Sequence, residues 1–364
     1  MCTGSPARST TSRRAPDVIT IAELLDPTER EPLWPLLQQI GVRHAVSLLE
    51  AGEQRSRWLR EESHADKRSL LGLEPGEPCW GTNGIARLKA LYEDAGFGLV
   101  AIEDTPPLDR VRLGMAGREE QIDAFCDQLR AMGAAGVPVC CYNWISVYSW
   151  ARTGIAVPAR GGALTTEYDH EAMNAAPPRP EADLATEAAL WENFEYFLKR
   201  VVPVAEEAGV RLALHPDDPP ISPVRGLGRI MRTVEAFHRV LELVPSEFNG
   251  ITMCQGNFAL MTDDLPALIR DLGGARAIKF VHFRDVRGTP EHFVETFHDD
   301  GPTDMLEGLR AYHYVGYEGV LRPDHVPTLF GESNAKPGYA VLGRLFAVGY
   351  IRGLDEAVER SAPA

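Results

Sequence analysis

A single (β/α)8 barrel of the TIM type, with long loops after its first and third strands, is the α/β fold this sequence predicts. Three observations point to it. Short apolar, β-rich runs alternate with longer amphipathic stretches along most of the chain, the rhythm of repeated βα units and a parallel sheet. Eight such runs can be counted, the number that closes a barrel. Four segments in the second half attach a potential metal ligand to the end of a run, and a parallel barrel keeps its chemistry at the carboxyl ends of its strands.

In chain order the strand-like runs are Val42–Leu49, Gly98–Glu103, Pro138–Asn143, Val210–His215, Gly250–Cys254, Ala277–Phe283, Phe293–Phe297 and Gly319–Arg322. Helix-like stretches lie between them at Ile85–Ala95, Glu119–Ala134, Glu187–Ala208, Gly228–Leu243, Asp263–Leu272, Thr303–His313 and Ala340–Ile351. Several are followed by glycine, as helix ends commonly are. Two connections rich in Gly, Pro and charge break the rhythm, Ala51–Thr82 after the first run and Trp150–Asp183 after the third. Both follow the carboxyl end of a strand and read as covers over the barrel mouth. Residues 1–16, rich in Ser, Thr and Arg and without acids, read as a disordered tail, which leaves 17–364 as one catalytic domain.

The 364 residues are 44% hydrophobic, enough for one large core. A net charge of -15 argues against nucleic acid or anionic membrane as a partner, since both need a positive face. No apolar stretch approaches the roughly 18 residues needed to cross a bilayer, and the amino terminus lacks the apolar centre of a secretory signal. Six cysteines without framework spacing read as reduced thiols. The expectation is a cytoplasmic enzyme acting on a small molecule.

The candidate metal ligands are His215, Cys254, His282 and Asp324, at the fourth, fifth, sixth and eighth runs. At strand ends they would converge above the barrel axis. Two imidazoles, a thiolate and a carboxylate suit a divalent transition ion, whereas Mg²⁺ and Ca²⁺ prefer all-oxygen shells. Any one of the four alone is more often packing or a satisfied hydrogen bond. The joint pattern carries the reading, with Cys254 its weakest member because buried cysteine is common in cores.

Arg284 and Arg322, each two residues from a candidate ligand, could bind a substrate carboxylate or fix a ligand carboxylate. Glu103 and Asn143, ending the second and third runs, are candidates to meet substrate hydroxyls. Asp217 and Asp218 read as holding the turn after His215, and Asp300 and Asp304 as helix-start residues.

These segments resemble one family. His-Pro-Asp-Asp-Pro-Pro at 215–220, Cys-x-Gly at 254–256, His282-Phe283-Arg284, Asp-Gly-x-x-Asp-Met at 300–305, Arg322-Pro323-Asp324-His325, Pro337-Gly338-Tyr339 and Gly343-Arg344-Leu345 look like D-mannonate dehydratase. Cys141-Tyr142-Asn143 and Trp150-Ala151-Arg152-Thr153 extend the likeness, which runs from about residue 98 to the carboxyl end. The resemblance implies the xylose-isomerase-like barrel, a hydro-lyase, Fe²⁺ or Mn²⁺, a sugar-acid substrate and a homo-oligomer. By the resemblance, the family's metal ligands fall on His215, Cys254, His282 and Asp324, and its catalytic acid/base pair on His325 and Tyr339. Two departures stand out. Val42–Leu49 lacks the family's opening-strand pattern, and Cys254-Gln255-Gly256-Asn257 stands where members usually read Cys-Thr-Gly-Ser. They leave open a dehydratase of a related aldonate or a non-catalytic sugar-acid-binding paralogue, and the shared barrel group adds a third alternative, a metal-dependent sugar isomerase.

Overall fold

The computed structural model of the protein describes residues 19–49, 67–147 and 150–361. Its strands, in chain order, are β1 (Thr20–Leu24), β2 (His44–Ser47), β3 (Gly98–Ile102), β4 (Val139–Asn143), β5 (Gly154–Pro158) and β6 (Leu164–Asp169). They continue with β7 (Arg211–His215), β8 (Asn249–Cys254), β9 (Ile278–Phe283), β10 (Val286–Gly288), β11 (His292–Glu295) and β12 (Val320–Pro323). Eight of them close a barrel in the order β1-β12-β9-β8-β7-β4-β3-β2, and every neighbouring pair is parallel.

Strands of such a barrel are buried on both faces, so they read as apolar runs instead of alternating ones. The inward side chains are small, with Ala22, Val46, Ala101, Val139, Cys141, Ala213 and Val320 packed around Phe280. The outward ones join the surrounding helices in a larger cluster. Helix starts follow capping chemistry. The Thr186, Asp264 and Asp304 side chains accept from the backbone N–H of Ala189, Ala267 and Glu307, opening helices Glu187–Ala208, Leu265–Gly274 and Met305–Tyr314. Asp300, expected at a helix start, lies five residues before the first residue of that last helix, while Asp304 is its cap.

Two strand assignments change. The barrel's first strand is β1, which the sequence reading passed over. Its pattern is interrupted by Glu23, a buried carboxylate that accepts from Arg344 Nη2 at 2.8 Å across 321 residues of chain. Phe293–Phe297 overlaps β11, which belongs to a separate antiparallel sheet ordered β10-β11-β6-β5. Apolar periodicity cannot say which sheet a strand joins, because pairing is set by long-range contacts.

His215 and Cys254 therefore end the fifth and sixth barrel strands, His282 is the last residue but one of the seventh, and Asp324 follows the eighth. The long connections follow the second and fourth strands, not the first and third, and Val42–Leu49 contains the second strand instead of the first. Positions 50–66, in the first connection, lie outside the described residues, as does the expected tail at 1–16. The second connection is no plain loop. It builds β5, β6 and a short helix, His170–Asn174. Because β5 and β6 follow β4, and β10 follows β9, the extra sheet sits at the carboxyl-end face of the barrel.

One buried group beneath that face gives stability a pH dependence. His298 Nε2–H donates to the Phe283 carbonyl at 2.7 Å, and the buried Nδ1 has no hydrogen-bond partner among the described residues. Burial lowers the pKa of His298 to about 4. Between about pH 4 and 6.5 the unfolded chain then binds the extra proton, so stability rises with pH across that window and is lost on acidification. His298→Gln is expected to flatten this rise in denaturant melts taken at pH 4.5, 5.5 and 6.5.

Candidate metal centre and active site

Ending a strand at the carboxyl face turns the last side chain toward the mouth, and three of the expected ligands meet there. His215, Cys254 and His282 each offer a donor atom, all within 4.8 Å of one another. His215 Nδ1–H donates to the Pro216 carbonyl at 2.7 Å, which leaves Nε2 with its lone pair. Burial lowers the pKa of His215, keeping the ring neutral. Cys254 Sγ lies 2.9 Å from Asn257 Oδ1 and 3.3 Å from Arg284 Nη1. His282 is fully buried; its Nε2 lies 3.3 Å from Glu103 Oε2, and neither ring nitrogen makes a well-aligned hydrogen bond among the described residues. An orphaned buried donor or acceptor costs about 1–3 kcal/mol, so a ligand at this ring has a physical rationale.

Asp324 joins from one side. Its Oδ2 is 3.6 Å from His282 Nδ1 and 3.9 Å from Cys254 Sγ, and it belongs to no group within the 4.8 Å limit. Burial pushes this carboxyl up, but His325, Arg322, His282 and Arg284 hold it well below the usual carboxylate range. It is therefore anionic.

A second group within the same limit pairs His282 with Glu103 and Cys141. It is the poorer cation site. Arg322 takes both Glu103 oxygens, Nε to Oε2 at 2.8 Å and Nη2 to Oε1 at 2.7 Å. Burial also pushes the Cys141 thiol well above its ordinary range. The first group, with two imidazoles and a thiol flanked by a carboxylate, fits a borderline divalent ion such as Fe²⁺, Mn²⁺ or Zn²⁺ better than Mg²⁺ or Ca²⁺.

The expected substrate contacts separate into two kinds. Arg322 clamps Glu103 and also donates to Asp324 Oδ1 at 2.9 Å. Burial pushes Glu103 up, but Arg322 prevails and lowers its pKa to about 2. Arg284 donates to Glu295 through Nε at 3.1 Å and Nη2 at 3.0 Å, and to Asp218 Oδ2 at 2.9 Å. Both arginines thus fix protein carboxylates. Asn143 is half-buried, and its Oδ1 accepts from Ile145 N at 3.1 Å and Arg112 Nη2 at 3.2 Å, which leaves its Nδ2 hydrogens to donate.

His325 and Tyr339 stand beside this group with ring centroids 5.5 Å apart. Tyr339 OH donates to Asp324 Oδ1 at 3.3 Å, and His325 Nε2 lies 3.8 Å from the same oxygen. Burial, reinforced by Asp324, pushes the Tyr339 phenol well above its ordinary pKa.

Sequence reasoning missed a buried charge node behind these residues. Arg152 donates to both Asp218 oxygens, at 2.7 and 3.1 Å, and to Glu295 Oε1. Asp218, expected to hold the turn with Asp217, instead joins Arg152 to Arg284. Asp217 does hold the turn, accepting from Met231 N at 2.7 Å. Glu295 was hidden because its run was assigned to the barrel, and Arg152 because it lies in a connection read as a loop. The Cys-x-Gly spacing has a steric reason: a Cβ on Gly256 would sit 2.7 Å from Arg284 Nε, so only glycine lets that side chain reach Cys254. Gly301 is similar, since a Cβ there would meet the Asp285 carboxylate at 2.0 Å.

A closed parallel barrel with histidine, cysteine and carboxylate donors gathered at its carboxyl-end face places the protein among the (β/α)8 barrels with a candidate metal centre at the strand ends. Its fold is similar to an L-ribulose 3-epimerase, with a TM-score of 0.56 over 94% of this chain and 96% of that one, at 14% identity. The likeness to mannonate dehydratase from Streptococcus suis serotype 2 is much closer: TM-score 0.83, 29% identity, covering 95% of this chain and 96% of that one. Mannonate dehydratase of Thermotoga petrophila is 36% identical over 326 residues, 80% of this chain and 90% of the relative. That of Enterococcus faecalis is 36% identical over 325 residues with the same coverage. The sequence profile of the D-mannonate dehydratase (UxuA) family matches residues 69–180 and 180–363. This chain belongs to the D-mannonate dehydratase family.

Proposed function

We propose that this protein is a metal-dependent hydro-lyase that converts D-mannonate to 2-dehydro-3-deoxy-D-gluconate and water, using Fe²⁺ or Mn²⁺ held by His215, Cys254 and His282 with Asp324 as the fourth ligand. The observation that carries the reading is the buried His282 ring, without a well-aligned hydrogen bond among the described residues, between His215, Cys254 and Asp324, with His325 and Tyr339 at the same carboxylate. Family membership supplies the reaction that such a group would serve.

The reaction removes a weakly acidic proton from C2 and hydroxide from C3, giving an enol that becomes the 2-keto acid. A divalent ion at this site supplies Lewis-acid stabilisation of the charge that builds on the substrate carboxylate. His325 and Tyr339 divide the two proton transfers: the Tyr339 hydroxyl holds a proton at Asp324, and His325 Nε2 stands beside the same carboxylate to take one up. Arg322 keeps Asp324 and Glu103 in place, and Asn143 offers Nδ2 to a substrate hydroxyl. The aromatic side of the pocket, with the Trp150 ring 4.9 Å from the His325 ring, limits water access to the proton carriers.

The test is an assay of anaerobically purified, Fe²⁺- or Mn²⁺-loaded protein on a panel of hexonates and their parent aldoses, scoring 2-keto-3-deoxy acid. Product from D-mannonate supports the proposal. Turnover of another aldonate alone would move the substrate, and interconversion of sugars without loss of water would replace dehydration with isomerisation.

A further inference from the structure

We propose that Glu295 is a positioning residue for His325, holding the imidazole with Nδ1–H on its carboxylate so that Nε2 faces the substrate. The inference rests on the dehydratase reading for its catalytic meaning, but its geometry stands on the molecule alone. Glu295 Oε1 lies 2.9 Å from His325 Nδ1, and both residues are buried. Arg152 Nη2 lies 3.2 Å from the same nitrogen, but the carboxylate contact is the shorter, and because a carboxylate only accepts it places the proton on Nδ1 and leaves the lone pair on Nε2. Burial pushes Glu295 up, but Arg284, His325 and Arg152 lower its pKa to about 2, which keeps it an acceptor at neutral pH.

The surroundings fix the ring as well as the proton. His325 has φ 39°, a left-handed conformation that a non-glycine residue keeps only when its contacts determine it. Glu295 holds one ring edge, while Trp150 and Tyr339 pack at centroid distances of 4.9 and 5.5 Å. Glu295 is itself immobilised by paired bonds from Arg284.

The node also supplies its own control. Arg152 and Arg284 are balanced in charge by Asp218 and Glu295. Each carboxylate binds both arginines, but only Glu295 has a hydrogen bond to His325. If Glu295 served only to neutralise the arginines, the two acids would be equivalent. The structure separates them by one hydrogen bond. It also gives the four-stranded sheet over the mouth a share in the reaction, because Glu295 is the last residue of β11.

The test compares Glu295→Gln with Asp218→Asn in the Mn²⁺-loaded enzyme, and adds long-range ¹H–¹⁵N imidazole spectra of the diamagnetic Zn²⁺-loaded protein. The His325 signal is identified by its loss in His325→Gln. Glu295→Gln keeps size and shape but lets an amide N–H face Nδ1, which permits the wrong tautomer. We expect kcat to fall about 100-fold, within the usual range for a misplaced general acid or base, with KM changed less than about threefold and metal content unchanged. Asp218→Asn is expected to cost kcat less than about tenfold. In the spectra, wild-type His325 should carry its proton on Nδ1. Equal kcat losses in the two variants, or a wild-type His325 protonated on Nε2 alone, would overturn the proposal. If the wild-type enzyme dehydrates no aldonate, the dehydratase reading fails while the imidazole spectra still decide the role of Glu295.

Discussion

His325→Asn is expected to lower kcat for dehydration by about 1,000-fold while metal content stays at the wild-type level. Positioned proton transfer is worth roughly 10²–10⁴-fold, and asparagine keeps a polar group at the site without one that can take up and return a proton. The side chain is placed for this loss to fall on chemistry and not on the metal. Its Nδ1 is engaged by Glu295 at 2.9 Å, and its Nε2 stands 3.8 Å from Asp324 Oδ1. Tyr339→Phe should behave alike, because it removes one hydroxyl that donates to that oxygen at 3.3 Å and leaves the ring in place. Steady-state kinetics with metal analysis on each variant checks both. A variant that keeps wild-type kcat removes its residue from the mechanism.

His282→Ala is expected to weaken metal binding at least 100-fold. His282 is common to both donor groups at the mouth, so its loss breaks both and leaves the proposed site one ligand short. The two cysteines then tell the groups apart. Cys254→Ser should lower metal retention, because a hydroxyl is a far poorer ligand for these ions than a thiolate. Cys141→Ser should leave it within about twofold of wild type, since Cys141 lies inside the barrel with its Sγ 3.2 Å from Thr252 Oγ1. Metal content after dialysis against a calibrated chelator gives all three values. Full occupancy in Cys254→Ser would exclude it as a ligand, and loss in Cys141→Ser would shift the ion toward Glu103.

The barrel was legible in the sequence because a parallel strand is buried on both faces and so declares itself as a short apolar run. The runs ending at His215, Cys254 and Phe283 are barrel strands in the structure, and helix Glu187–Ala208 has the expected bounds. The strand count came out at eight through two errors that cancel. β1 hides behind Glu23, whose charge is tolerated only because Arg344 reaches it from near the other end of the chain. β11 looks like a barrel strand, because apolar composition reports burial and not pairing partners.

The candidate site divides along the same line. Residues that end barrel strands could be placed from the sequence, since the carboxyl-end rule turns position in a run into position in space. Glu295, Arg152 and Asp218 could not. They meet across 66 to 143 residues of chain through a sheet that is an addition to the barrel, and no local pattern encodes that meeting. Arg284 and Arg322 were placed correctly at the mouth, but which carboxylates they bind is a matter of tertiary contact.

The central claim is that the site removes the C2 proton and the C3 hydroxyl of D-mannonate. The most direct measurement is an NMR time course of the Mn²⁺- or Fe²⁺-loaded protein with D-mannonate in D₂O, metal being stripped from each sample before acquisition. The expected product is 2-dehydro-3-deoxy-D-gluconate with one solvent deuteron at C3, added as the enol becomes the ketone. Unchanged D-mannonate, or its C2 epimer without loss of water, in the presence of fully metal-loaded protein would contradict it.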